Sequence, residues 1–113
     1  MKNIDWAKEL MSAVTLTDKA GAIIYMNEKS VETFANDGGR ELIGKNLYEC
    51  HNDNSNKVID RIINEKSPNI YTIEKNGVKK LIYQAPYYKD GEYAGLAEIS
   101  IILPENMPHF IRS

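Results

Sequence analysis

The sequence has little of what most enzyme chemistry is built from. It holds a single cysteine, Cys50, which excludes an internal disulfide. Its two histidines, His51 and His109, form no metal-ligand cluster of useful spacing with other residues. Glycine-rich phosphate loops are absent, because Gly38-Gly39 alone makes a turn and not a cradle. No apolar run approaches the ~20 residues that span a bilayer, so no membrane partner is expected. Charge of one sign is missing as well: 14 basic and 16 acidic residues are dispersed, with a net charge of −2. Without a basic block to neutralise a run of phosphates, no nucleic-acid partner is expected. Residues Met1 to Trp6 lack the apolar stretch of a signal peptide. Together with the lone cysteine, this sets the expectation of a cytoplasmic protein.

What is present is ordinary globular composition, 42% apolar and 27% charged over 113 residues, which fits one domain spanning 1–113. The clearest local signals are Asn76-Gly77 and Asp90-Gly91. Both dipeptides accept the two successive positive φ angles of a type I′ hairpin turn. They punctuate three strand-like runs, 69–74, 78–88 and 93–103, read as an antiparallel meander. Alternation places Leu81, Tyr83 and Ala85 on one face with Tyr71, Ile73, Ala97, Ile99 and Ile101. That apolar face is expected to pack on the helices, with Ile82 and Leu96 as exceptions on the other side.

The first half carries a second hairpin. Ala13 to Thr17 and Ala22 to Met26 are β-prone runs joined by Asp18-Lys19-Ala20-Gly21. Asn27 suits a helix N-cap ahead of Val31, Phe34 and Ala35. A longer helix is expected from Asn54 to Lys66, with Val58, Ile59, Ile62 and Ile63 as its apolar stripe. Residues 1–12 are expected to hold an amphipathic helix exposing Ile4, Trp6, Leu10 and Met11. It either caps its own sheet or pairs with a second copy. After the core, 13–103, comes a tail, 104–113, whose Phe110 is expected to dock back out of water.

The order of these pieces resembles one family. Asp18-x-x-Gly21-x-Ile23-x-x-x-Asn27, then Glu41-Leu42-Ile43-Gly44-Lys45, then Asp90 to Ile99 resemble the opening hairpin, the connection before the long helix and the last hairpin of PAS sensor domains. The resemblance covers residues 12–103. It implies an α+β fold with a five-stranded antiparallel sheet in the order 2-1-5-4-3, helices over one face, and a small-molecule pocket between the long helix and the sheet. It implies a sensory or signal-relay domain, bacterial in style, working as a homodimer or through an effector protein. The alternative is a pure interaction or dimerisation module with no ligand. Val58, Ile62, Tyr71, Tyr83 and Ile99 are the expected ligand-binding residues, because aromatic bodies with polar tips in an apolar interior can orient a guest.

The same resemblance leaves the cofactor open. Light-oxygen-voltage relatives place a reactive cysteine after a Gly-x-Asn, but here Gly44-Lys45-Asn46 is followed by Leu47. Haem-binding relatives ligate iron with a histidine of the long helix, and Asn54 to Lys66 contains none. His51 would be an off-pattern ligand, and it also suits a polar turn capping that helix. Cys50 beside His51 lacks a third, orienting group, so no catalytic residue and no enzyme are expected.

Overall fold

The computed structural model describes residues 4–47 and 53–113. Strands β1 (Ala13–Thr17) and β2 (Ile23–Met26) lead into helix α1 (Glu28–Thr33) and two short 3-10 turns, Ala35–Asp37 and Gly39–Leu42. Helix α2 (Asp53–Glu65) follows, and β3 (Asn69–Lys75), β4 (Val78–Lys89) and β5 (Glu92–Ile102) complete the sheet. All strand pairs are antiparallel in the order β2-β1-β5-β4-β3, as the resemblance to PAS domains implied. Cys50 and His51 lie outside the described residues.

The turns form where the backbone chemistry favours them. Asn76-Gly77 and Asp90-Gly91 take positive φ at both positions, 54° and 78°, 52° and 81°. In the first hairpin the Asp18 carboxylate accepts from the amides of Ala20 and Ala22, at 3.0 and 2.9 Å. This side-chain mimic of a backbone turn explains the Asp-x-x-Gly spacing. The segment Gly44 to Leu47 then runs along the outer side of β2. Gly44 N donates to Ile23 O, Ile23 N to Lys45 O and Leu47 N to Gly21 O. That edge is thereby covered.

Helix α2 lays Ile59 and Ile62 against Leu96 of β5, with Leu47, Val58 and Ile63 packed around them. This corrects the expected facing of the sheet. Ile82 and Leu96 are buried under the helices, while Leu81, Tyr83, Ile99 and Ile101 occupy the opposite face. Tyr71 pairs with Ile82 rather than siding with Tyr83. Both faces carry apolar side chains, so alternation alone does not choose between them. The choice belongs to the crossover: β2 and β3 are parallel strands at opposite edges, and the hand of the helical connection between them decides which face is covered.

The stretch expected as an N-terminal helix forms turns. Lys8 N donates to Asp5 O and Leu10 N to Ala7 O, and no helix develops over residues 4–12. A segment this short gains little from helix formation alone. Its carbonyls are taken by the domain instead: Ala7 and Ser12 accept from the Asn27 side chain, and Lys8 from the Glu28 amide. Asp5 also accepts from the Tyr25 hydroxyl at 2.8 Å. Burial, then the Asp5 carboxylate, pushes that hydroxyl up to about 12 from its usual 10.0. The protonated hydroxyl is the form the folded state favours. Its contribution is therefore complete below pH ~10 and is lost as pH rises through about 12. Ultraviolet titration should show a late tyrosine that titrates earlier in Asp5→Asn; an unchanged curve would break the assignment.

The tail also departs from expectation. Phe110 is 69% exposed, with the Arg112 guanidinium 5.3 Å over its ring, and does not dock on the domain. Stacking on a neighbouring cation covers part of one ring face at little entropic cost.

Candidate functional site

Between the sheet and the helical layer lies a cavity of about 540 Å³. Its apolar walls come from Ile23, Met26, Phe34, Leu42, Ile59 and Ile62. From the sheet, Thr15, Thr17, Gln84 and Glu98 add polar groups beside Leu96 and Ala97. No described helix is long and apolar enough to cross a membrane.

Each polar group on the sheet side has a reason for its position. The Thr15 hydroxyl bonds to that of Ser30, which ties β1 to α1. Thr17 is fixed twice: its hydroxyl oxygen accepts from Leu96 N at 3.0 Å and its carbonyl from the Tyr87 hydroxyl at 2.7 Å. Glu98 and Gln84 stand opposite each other on β5 and β4, as do Gln84 and Asn69 on β4 and β3. The register thus lines up a chain of amides. Arg61 of α2 donates to Asn69 Oδ1, Asn69 Nδ2 to Gln84 Oε1 at 3.0 Å, and Gln84 Nε2 to Glu98 Oε2 at 2.9 Å. The Glu98 charge is felt at Tyr71, whose hydroxyl is raised above its ordinary value by burial first and by Glu98 second.

Of the five expected ligand-binding residues, Ile62 lines the cavity. Val58 packs against the core cluster beside it. Tyr71 lies on the cavity side of the sheet, more than one-third exposed, within reach of Gln84 but outside the lining. Tyr83 and Ile99 pair with each other on the far face and point away from the cavity. The polar set Thr15, Thr17, Gln84 and Glu98 was missed. For Gln84 and Glu98 the signal was the group of polar alternates on the middle and last strands of the meander, which the expected facing had assigned to solvent.

No family model and no curated protein matches this sequence. Solved structures do match. A C-terminal domain from Streptococcus mutans superposes with a TM-score of 0.68 at 14% identity, over 85% of this chain and 78% of that one. The Aer2 receptor of Vibrio cholerae, described as a dual PAS-heme oxygen sensor, gives 0.63 at 21% identity, over 82% and 95%. The PAS domain of Bordetella pertussis BvgS gives 0.63 at 19% identity, over 88% and 82%. The chain has the PAS fold. Within this PAS fold, the described lining residues include no histidine or cysteine, and Met26 is their one sulfur donor.

Proposed function

We propose that this PAS-fold domain is a cytoplasmic sensory module that binds a small molecule in the cavity and relays its arrival through a second copy or an effector protein. The observation that carries the reading is the cavity itself. Its volume falls within the ~300–1,000 Å³ of small-molecule sites, and it combines apolar walls with a few convergent polar groups. Those polar groups are each held by a hydrogen bond to a neighbouring side chain or to the backbone, which suits recognition rather than turnover. Of the residues expected to bind, Ile62 remains a ligand contact in this reading. A guest touching both α2 and β5 would favour one packing of the helix on the sheet, and such a shift in population is what a relay requires.

Native mass spectrometry of the chain isolated without denaturation, together with thermal melts against a metabolite library, tests this. A ligand at 100 times its Kd stabilises by about 2.7 kcal/mol, on the order of 10 °C for a domain of this size. Ile62→Trp, which fills the cavity, should abolish both the retained mass and the shift. No retained mass and no shift across the library would overturn the proposal.

The second reading, an association module, is favoured by the far face of the sheet. There Tyr83, Ile99 and Leu81 are half-buried, and Ile70 and Ile101 are exposed. Ile4, Trp6 and Met11 add exposed apolar surface at the N-terminus. Such surface marks interfaces. Sedimentation should find a dimer that Ile101→Lys or Trp6→Glu converts to monomer. Substitution serves better than truncation here, because Asn27 needs the carbonyls of residues 7 and 12. A wild-type chain that stays monomeric at high concentration would remove this route.

A further inference from the structure

We infer that the cavity selects a small organic cation, an amine on an apolar body, through the carboxylate of Glu98. The inference rests on the cavity being a ligand site. It begins from Glu98, which lines an otherwise largely apolar chamber and is itself partly buried. A carboxylate withdrawn from water needs donors, and preferably a positive charge. Glu98 has one described donor, Gln84 Nε2 on Oε2. The ion pairs among the described residues are Lys29–Glu32, Arg40–Glu28 and Arg61–Glu65, and none includes Glu98. The remaining lone pairs of the carboxylate are therefore open to a guest. Of the other charged lining residues, Lys45 and Asp37 are exposed and opposite in sign. Among the described lining residues the net charge is thus negative.

The amide chain makes this site directional. Arg61 occupies the oxygen of Asn69, and Asn69 occupies the oxygen of Gln84. Each amide is thereby turned so that its N–H points onward, and the last N–H holds the Glu98 carboxylate in one orientation. A carboxylate already oriented loses less freedom when it accepts an ammonium, so its charge-assisted hydrogen bond is stronger. The other end of the chain is on α2. The group that reads the cation is thus linked through β4 and β3 to the helix that roofs the cavity. An anionic guest would meet Glu98 with like charge, and a neutral one would leave the carboxylate poorly partnered.

Matched triads test the inference: tryptamine, tryptophol and indole acetate; phenethylamine, phenylethanol and phenylacetate; hexylamine, hexanol and hexanoate. Kd values come from chemical-shift titration of the full chain. Within at least one triad the amine should bind about 10-fold tighter than the alcohol, with the carboxylate weakest. Glu98→Gln and the apolar Glu98→Met should erase that preference, while the surface change Glu65→Gln should keep it. If both Glu98 variants unfold, the wild-type ranking decides. Amine and alcohol binding equally, with both lost in Ile62→Trp, would overturn the cation preference and leave the cavity as a ligand site. Failure of every compound to bind the wild type would overturn the cavity reading and this inference with it.

Discussion

Replacing Asn27 with alanine should cost about 3–5 kcal/mol, enough to leave much of this small domain unfolded. The side chain is 1% exposed and all its bonding capacity is used. Its oxygen accepts from Val14 N at 3.0 Å and from Ser30 N at 2.9 Å. Its amide nitrogen donates to the carbonyls of Ala7 and Ser12, each at 2.8 Å. One residue therefore caps α1, closes the end of β1 and holds the N-terminal segment. Alanine leaves two buried N–H groups and two carbonyls without those partners. The cost then exceeds the ~1 kcal/mol typical of a lost cap. Asn27→Asp keeps both acceptor bonds and loses both donors, so it should fall between alanine and wild type. Urea melts give the energies, and amide exchange at Val14 and Ser30 should quicken in step. A loss below about 1 kcal/mol would reduce Asn27 to an ordinary cap.

Asn27 also shows how far the sequence could be read. Its cap was legible, because an asparagine ahead of a helical apolar pattern has a local meaning. Its bonds to residues 7, 12 and 14 were not, since they join segments that only the folded chain brings together. The turns divide in the same way. Asn76-Gly77 fixes the register of β3 on β4 without interruption, so Tyr71 opposite Ile82 follows from counting back along both strands. Counting back from Asp90-Gly91 gives a wrong answer beyond Tyr88. A bulge between Tyr87 and Tyr88 shifts the register by one residue, from Tyr88 opposite Tyr93 to Tyr87 opposite Gly95. That shift sets Gln84 against Glu98 and creates the polar chain in the cavity. Nothing local in Tyr87-Tyr88 announces it. The candidate site was thus less legible than the fold. The fold follows from patterns along the chain, whereas the site follows from a one-residue offset and from the hand of a crossover.

The bulge brings Gly95 against the Thr17 backbone of β1, and Gly95→Ala should be among the most damaging single changes in the chain. A Cβ at this position would lie inside the contact distance of the Thr17 carbonyl oxygen and 3.0 Å from Tyr87 Cε1. The obstacle on one side is backbone, so no side-chain rotation relieves it. At φ 155° the backbone is also one that a side chain rarely adopts. To fit a methyl group, β1 and β5 must separate. That breaks the bond from the Tyr87 hydroxyl to Thr17 O and the bond from Leu96 N to the Thr17 hydroxyl. Both Thr17 and Leu96 line the cavity, so its sheet side moves as well. The expected loss is about 4 kcal/mol or more, in the range reserved for steric overlap in a packed interior. Gly91→Ala separates crowding from conformation. Gly91 has φ 81°, and no atom lies within 4 Å of where its methyl group would sit, so only backbone strain of about 1 kcal/mol applies. On melting, Gly91→Ala should fall by about 4–8 °C, and Gly95→Ala by several times that or fail to fold. Equal losses in the two variants would mean that φ alone, and not the crossing of β5 over Thr17, requires glycine at position 95.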